Sequence, residues 1–309
     1  MQGQTAAYVI STLVTAPKSA TLSTLANVKT ELGIPTADTT NDAWLTGALN
    51  QVSAALARHC NRIFGLATWQ DEFRPARGVW GEGVRAASNP IKLSRWPFAG
   101  TVVAFTGNTY STTLIDGIAD TSKLSNGQLI GGPGVVAGTT IASPPGVNSI
   151  TLSQATTATA SAVALNAGIS MSETTTGIIT GLTAGTDFEV EAGSLLAGDE
   201  GAARLYRLNA QGNPRTWAAS QILAVYQAGY SLPNDSSPNM PSDLEDACLR
   251  LVTARFKARG RDPFLRGESE PGLGAPQYWI GTMPGQRGAF PPEIESLINP
   301  YRVPVVVAA

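Results

Sequence analysis

The sequence predicts an α+β protein: a helical core with a small β-sheet, interrupted by an inserted all-β domain of sandwich or barrel type. Two observations predict the helices, namely apolar residues spaced three and four positions apart and capping residues at the starts of those stretches. A third predicts the insertion, because the composition changes sharply between residues 106 and 182. At 309 residues the chain also exceeds a usual single domain, which favours a core plus an added module.

The predicted domains follow this order along the chain. They are an N-terminal arm at 1–20, a discontinuous core at 21–105 and 183–266, the inserted β domain at 106–182 and a C-terminal arm at 267–309. The chain carries a net charge of −2 and only 14% charged residues. That balance gives no strong electrostatic case for nucleic acid or an anionic membrane as a partner.

The stretch Asn41 to Phe64 carries the clearest helical pattern. Its large apolar residues form one stripe along a helix: Trp44, Leu45, Leu49, Val52 and Leu56. Residues Thr24 to Gly33 repeat the pattern and end at a glycine, and the following Ile34-Pro35 disfavours further helix. We therefore expect these two segments to form a hairpin of antiparallel helices.

A further long helix is predicted from Ser242 onward. Ser242 and Glu245 have the spacing of a capping box, in which each side chain bonds the other residue's backbone N–H. Basic residues precede a terminating glycine, as the helix dipole favours: Arg255, Lys257 and Arg259 before Gly260. The two cysteines, Cys60 and Cys248, fall on predicted helices. We expect buried thiols in a reducing compartment, with a disulfide as the less favoured alternative.

Strands of the core sheet are predicted on both sides of the insertion. They are Leu66–Arg74, Ile91–Trp96, Thr101–Phe105, Asp187–Glu191, Ala203–Leu208 and Gln221–Tyr230. Ahead of the core, the apolar run Tyr8–Val14 follows no basic residue and is too short and too polar for a signal peptide or a spanning helix. We expect a loose arm there that orders against a neighbour.

The region from Thr106 to Leu182 contains four charged residues: Asp116, Asp120, Lys123 and Glu173. Short segments rich in Val, Ile, Leu and Thr alternate with clusters of Gly, Pro and Asn. Strands spaced in this way indicate a small sandwich or barrel. A disordered linker is the alternative, and the apolar alternation around Ser149–Ser153 argues against it.

Beyond Arg261, Gly and Pro dominate, and we expect a long irregular arm. Within it, Pro291–Ile298 is predicted to form a short helix that ends at Asn299-Pro300. The apolar tail Val303–Val307 follows. Because exposing an apolar tail to water is unfavourable, we expect this arm to dock on a partner.

No residue pattern of a known catalyst or metal site occurs. The single histidine, His59, precedes Cys60, and neighbouring helical side chains diverge by about 100° and do not readily converge on one site. A metal site would need several such ligands, so His59 is interpreted as a core or interface residue. We expect no enzymatic activity and no cofactor.

Basic residues cluster near the end of the third predicted helix. They are Arg250, Arg255, Lys257, Arg259, Arg261 and Arg266. Clustered cations can contact DNA phosphates. A solvated helix face that meets carboxylates of a neighbouring subunit is favoured, because no aromatic residues alternate with these cations to stack on bases. Arg255, Lys257, Arg259 and Arg261 are thus candidates for a subunit interface or a DNA channel.

Five segments, in the same order, resemble the head–tail connector (adaptor or neck) proteins of tailed bacteriophages. The segments are TLANVKTELGI at Thr24–Ile34, DAWL…RHCNRIF at Asp42–Phe64, ILAVYQAGY at Ile222–Tyr230, PSDLEDACLRLVT at Pro241–Thr253 and PPEIESLINPYR at Pro291–Arg302. They cover most of the chain outside 106–182.

The resemblance implies a structural virion protein with a helical connector core, assembled in the bacterial cytoplasm and located at the neck. Such proteins form a twelve-fold ring under the portal, extend the DNA channel and receive the tail stopper or tail-completion protein. DNA would pass without sequence-specific binding, and no membrane is involved. The implied portal-docking residues are Ile294, Leu297, Ile298, Pro300, Tyr301 and Arg302.

The insertion departs from this family's compact pattern. Residues Leu114 to Leu165 are similar to β modules of other phage virion proteins. This leaves an alternative, a virion-surface carbohydrate-binding or adhesin module on a helical anchor. Glycan-binding sandwiches normally expose aromatic side chains, and residues 106–182 contain only Tyr110. An enzyme acting on DNA or peptidoglycan lacks a catalytic set.

Overall fold

The computed structural model describes residues 8–74, 90–193, 202–217, 219–259 and 290–303. Within these ranges the chain forms fourteen β-strands in three sheets and four α-helices. The prediction of a helical core with a small sheet is therefore wrong, because the protein is mainly β. The helices carry a strong local periodicity, whereas the sheets pair residues that lie far apart in sequence and leave little local signal.

The chain divides into two compact units. We call Met1–Ala16 with Leu66–Gly229 the β unit, and Pro17–Gly65 with Tyr230–Ala309 the helical unit. The domain boundaries expected from composition stay a prediction. Strands from both sides of residue 106 and of residue 182 belong to the β unit.

The first sheet of the β unit has five strands, and every neighbouring pair is antiparallel. In spatial order they are β1 (Tyr8–Thr15), β2 (Ala67–Arg74), β14 (Gln221–Ala228), β9 (Ile169–Thr175) and β10 (Ile178–Leu182). The predicted strands β2 and β14 are confirmed. Residues 8–15, expected to form a loose arm, instead form the edge strand β1 along β2.

A second sheet shares its apolar core with the first. Its strands are β3 (Ile91–Lys92), β11 (Phe188–Glu191), β12 (Arg204–Leu208) and β13 (Pro214–Arg215). Trp69, Phe73, Phe188, Leu205 and Trp217 are among the buried side chains of the common core. Successive side chains of a strand point to opposite faces of its sheet. One face of each sheet thus contributes side chains to the same apolar core.

Buried Asp71 lies on the inward face of β2, where an unpaired charge would be costly. Its carboxylate accepts hydrogen bonds from the Ser94 backbone N–H at 2.7 Å, the Ser94 hydroxyl at 2.6 Å and the Tyr226 hydroxyl at 2.7 Å. Burial, and then the negative charge of Asp71, raise the pKa of Tyr226. These bonds fix the segment around Ser94 to the sheet.

The third sheet has its own core. Its strands, in spatial order, are β6 (Ile130–Gly131), β8 (Thr159–Ala167), β4 (Val103–Tyr110), β5 (Leu114–Asp116) and β7 (Ile150–Thr151). Ile115, Ile130, Ile141 and Leu165 are buried within it. Gly168, with φ 96°, links β8 to β9 of the first sheet, and a Cβ there would collide with the Thr101 carbonyl oxygen. The strands expected in 106–182 are therefore divided between two sheets.

The helical unit contains the four helices. They are α1 (Leu25–Leu32), α2 (Asp42–His59), α3 (Ser242–Lys257) and α4 (Pro292–Ile298), and a 3-10 turn at Asn299–Tyr301 follows α4. Helices α1, α2 and α4 all contact α3. Leu45, Leu56, Leu244 and Ile298 are fully buried, each contributing roughly 1.5–3 kcal/mol through burial.

The predicted capping box of α3 is wrong. Pro241 occupies the N-cap position and no side chain caps the helix. The Glu245 carboxylate instead accepts hydrogen bonds from the Ser23 hydroxyl at 2.8 Å and the Asn27 side-chain amide at 2.7 Å. Tertiary donors at the start of α1 thus replace the local backbone donor.

Candidate assembly surfaces

The C-terminal segment, residues 290–303, packs inside the helical unit. Ile294 and Ile298 lie one helical turn apart on α4 and are both buried, on a helix that packs against α3. The Val303 N–H donates to the Cys60 carbonyl oxygen at 2.9 Å, and the Cys60 thiol lies 3.8 Å from the Ile298 carbonyl oxygen. The predicted helix here is confirmed, and its apolar face is covered by the same chain.

Tyr301 anchors the end of this segment. Its ring is buried and its hydroxyl lies 2.8 Å from both carboxylate oxygens of Asp243. The rings of Phe64 and Tyr230 stand edge-on to it, each with centroids 6.5 Å away. The Arg62 guanidinium covers the Phe64 ring at 5.1 Å. Burial and then the hydrogen bond to Asp243 raise the pKa of Tyr301.

The six predicted docking residues therefore fall into two groups. Ile294, Ile298 and Tyr301 are buried in the helical unit. Leu297 is half-buried, and Pro300 and Arg302 are exposed. We call Leu297, Pro300 and Arg302 the C-terminal patch; in this structure it is the part of the predicted set open to a partner. The docking role itself stays a prediction.

The predicted cation cluster joins two helices of the same unit. Arg255 donates to the Gln51 side-chain oxygen at 3.2 Å, and Arg259 donates to that of Asn41 at 2.6 Å. The Arg259 guanidinium also lies 5.2 Å from the centre of the Trp44 ring. Lys257 is exposed, and Arg261 lies outside the described residues. Two of the four candidates thus hold α3 against α2, and Lys257 remains open to solvent.

The sulfur and imidazole groups do not form a reactive site in the described residues. Cys60 and Cys248 are buried free thiols, and burial raises the pKa of Cys60 to about 11 and that of Cys248 to about 12. His59 is half-buried and stands edge-on to Phe290 with ring centroids 5.2 Å apart. No group of three or more His, Cys, Asp or Glu side chains there has the arrangement of a metal site.

The first sheet has two apolar edges. The run Tyr8–Val14 was expected to be a loose arm that orders against a neighbour, whereas the apolar edge at β10 was not predicted. On β1, Val9, Ile10, Leu13 and Val14 are each more than a third exposed. At the opposite edge, Ile178 and Ile179 of β10 are 67% and 74% exposed. The sequence signal for the β1 edge is that Tyr8–Thr15 contains no charged residue and no proline. Edge strands normally carry one of these, which prevents pairing with another strand.

The third sheet offers little of the surface that a glycan-binding module normally uses. Tyr110 is exposed, but its hydroxyl donates to the Asp116 carboxylate at 2.7 Å. The other large apolar side chains exposed in this region are not aromatic: Leu114, Val136 and Val147, at 43%, 38% and 94%. Among the described helices, none is both long enough and apolar enough to cross a membrane.

No family model and no curated protein matches this sequence. Among the solved structures with weak similarity to this chain, two align over nearly all of both chains. One is a chain from the neck of an empty gene transfer agent particle computed with sixfold symmetry, with 12% identity, a TM-score of 0.37 and coverage of 97% of this chain and 98% of that chain. The other is from the virion of the native gene transfer agent particle, with 13% identity, a TM-score of 0.36 and the same coverage. At these scores neither fold nor function is transferred to this chain.

Proposed function

We propose that this chain is a non-enzymatic structural protein of a phage head–tail neck. In this role it forms a ring under the portal, extends the DNA channel and offers a docking surface to the tail stopper or tail-completion protein. Its partners are the portal, that tail protein and further copies of itself. DNA passes through the ring without sequence-specific contacts.

One observation carries the proposal: four of the five connector-like segments come together in the helical unit. Thr24–Ile34, Asp42–Phe64, Pro241–Thr253 and Pro291–Arg302 are widely separated in sequence, yet they supply α1, α2, α3 and α4. The helices α1, α2 and α4 all pack on α3. Segments that resemble one family and also form one compact body behave as an inherited unit rather than as scattered chance matches.

The C-terminal patch is the part of this unit that we assign to portal docking. The buried side chains Ile294, Ile298 and Tyr301 fix the backbone of residues 292–301, so Leu297, Pro300 and Arg302 are presented on an ordered surface. A preorganised patch binds without the entropy cost of ordering a free arm. Arg302 adds a cation that can pair with a carboxylate of the partner.

Electron microscopy of the protein mixed with rings of the portal of the same virus tests the proposal. We expect an added layer on the portal, with the helical unit next to it. Arg302→Glu should weaken this binding at least about tenfold, because it reverses the charge of the patch. Deleting residues 291–309 is a poorer test, since it would remove three buried side chains from the helical unit.

Arg58→Glu is the matched control. Arg58 is also an exposed arginine of the helical unit, near the end of α2 and outside the C-terminal patch. It should bind portal as the unsubstituted protein does. A bare portal at micromolar protein would contradict the adaptor role, whereas equal binding by Arg302→Glu and Arg58→Glu would exclude the C-terminal patch as the docking surface.

A further inference from the structure

The first sheet of the β unit ends in two edges that lack the usual protection against pairing. Edge strands expose unpaired backbone N–H and C=O groups, and soluble proteins normally blunt them with charges, prolines or short length. β1 has eight residues, Tyr8–Thr15, and none is charged. β10, Ile178–Leu182, is also uncharged. Both edges are therefore competent to accept another strand.

β1 pairs with β2 on one side, and its pairing is regular from Tyr8 to Leu13. No other described residue makes a backbone hydrogen bond to the outer side of this strand. Its apolar side chains are exposed on both faces of the sheet, as Val9 and Ile10 show. The strand thus has the length, the free backbone groups and the apolar surface needed to receive a partner strand.

β10 is the outer strand of a tight hairpin with β9. Thr176 and Gly177 both have positive φ, of 50° and 84°, as a two-residue hairpin turn requires. Next to this turn, Ile178 and Ile179 project from opposite faces and Thr180 is exposed. Further along, Gly181 lies close to the backbone of Gly132. The open part of this edge is therefore residues 178–180.

The other sheets provide an internal contrast. The edge strand β11 carries Glu189 and Glu191, and β13 consists of Pro214 and Arg215. In the third sheet, the edge strands β6 and β7 have two residues each. Charge, proline or short length therefore protects these edges, and the two edges of the first sheet stand apart within the described residues.

Strand direction decides how the two open edges can meet. Each neighbouring pair from β1 through β2, β14 and β9 to β10 is antiparallel, so β1 and β10 run in the same direction. Neighbouring copies in a closed ring differ by a small rotation, about 30° for twelve copies. Such a rotation preserves strand direction, so β10 of one copy would meet β1 of the next as a parallel pair.

We propose that β10 of one copy adds to β1 of the next, so that the first sheets of neighbouring copies join into one continuous β-structure. A second copy is the occupant that fits, because each copy brings one edge of each kind and a single interface then satisfies both. An unrelated partner would cover one edge and leave the other open. The closure of these contacts into a ring rests on the proposed function; the pairing itself rests on the two edges.

Edge-blocking variants test the pairing by sedimentation velocity at about 100 μM. We expect the unsubstituted protein to associate, and Ile10→Lys and Ile179→Lys each to remain monomeric, because a lysine disfavours strand addition at its edge. Mixing the two variants leaves one intact β10 and one intact β1. The mixture should therefore form a dimer and nothing larger. Val147→Lys, an apolar-to-lysine change at another exposed site, should associate like the unsubstituted protein.

The outcomes separate this inference from its competitors. Dimers of Ile179→Lys alone would indicate a two-fold β1–β1 pairing and would overturn the proposal, as would a monomeric unsubstituted protein at this concentration. If both lysine variants still form a layer on portal, and the unsubstituted protein stays monomeric in solution, the adaptor role stands without this interface. If portal remains bare while the edge pairing occurs, the proposed function fails and the pairing stands.

Cysteine cross-linking gives a second readout. Thr12→Cys and Thr180→Cys place thiols on exposed positions of the two edges. The native Cys60 and Cys248 are buried and contribute little background. Under mild oxidation, disulfide dimers should form when the two variants are mixed and not from Thr12→Cys alone. Circular dichroism of each variant checks that the fold is retained.

Discussion

Two arginines on the same strand, β12, illustrate how burial changes the contribution of an ion pair to stability. The Arg207 side chain is 7% exposed and pairs with Glu173 at 2.9 Å, while it also donates to the backbone carbonyl of Asp187 at 2.5 Å. The Arg204 side chain is 38% exposed and lies 3.6 Å from Glu191. Arg207 therefore ties the first sheet to the second, whereas the Arg204 pair is screened by water.

Arg207→Leu should lower the free energy of unfolding by about 3 kcal/mol, because it leaves the Glu173 carboxylate without its partner in a largely buried place. Arg204→Leu is the matched control and should cost less than about 1 kcal/mol. Urea unfolding monitored by tryptophan fluorescence measures both. Equal losses for the two variants would refute the assignment of Arg207 as the structural tie.

Tyr301→Phe should destabilise the protein by about 1–2 kcal/mol. It keeps the ring contacts and removes the bonds at 2.8 Å to the Asp243 carboxylate, and hydrogen bonds to charged groups are among the stronger ones. Tyr110→Phe removes a similar bond to Asp116 on an exposed side chain, where water can replace the lost bond, and should cost much less. A smaller loss for Tyr301→Phe than for Tyr110→Phe in urea unfolding would argue against the anchor.

At the scale of elements, a single carboxylate connects the first and third helices. Glu245 on α3 accepts from both Ser23 and Asn27 at the start of α1. The cap of α1 is separate, because the Thr24 hydroxyl accepts from the Asn27 backbone N–H at 3.1 Å. The start of α1 is therefore held both by its own N-cap bond and by the two bonds to the Glu245 carboxylate.

Glu245→Ala should loosen α1 selectively. We expect hydrogen exchange of α1 amides to speed up by about tenfold or more, which corresponds to the loss of at least one charge-assisted hydrogen bond. Asp246→Ala on the same helix removes an exposed ion pair with Arg250 and should change this exchange little. If exchange in α1 responds equally to both substitutions, Glu245 does not hold that helix.

At the scale of the whole molecule, alkaline pH should lower the stability of the helical unit before that of the β unit. The thiols of Cys60 and Cys248 ordinarily titrate near 9.0, and burial raises their pKa values to about 11 and about 12. Both lie in the helical unit. Their contribution to stability is complete below pH 9 and declines as the pH rises towards the folded pKa values, because the unfolded chain loses these protons first.

We expect the helical unit to lose up to about 2 kcal/mol between pH 9 and 10, or about 1 kcal/mol per thiol, because each unfolded thiol is only half deprotonated at pH 9. The buried Tyr226 of the β unit has an ordinary pKa of 10.0, so its own contribution declines only at higher pH. Thermal unfolding followed at 222 nm from pH 8 to 10 measures the slope. A Cys60→Ala/Cys248→Ala variant should show a flatter pH dependence, and an unchanged slope would contradict the assignment to these thiols.

The sequence by itself determined the elements whose signals are local. Helices α2, α3 and α4 and strands β2 and β14 lie close to their predicted positions, because apolar spacing and chain-breaking prolines act within a few residues. The buried character of Cys60 and Cys248 also follows from their place on helical stripes. Each of these features needs only neighbouring residues to specify it.

Only the tertiary structure decided how these elements combine. The run Tyr8–Thr15 forms an edge strand because it pairs with β2. The Glu245 carboxylate accepts hydrogen bonds from Ser23 and Asn27 at the start of α1, and not from the backbone at the start of its own helix. Ile298 and Tyr301 became buried because α3 supplied an apolar face and Asp243 a hydrogen-bond acceptor. These contacts join residues that are far apart in sequence. Their contribution to stability depends on partners that no local sequence pattern contains.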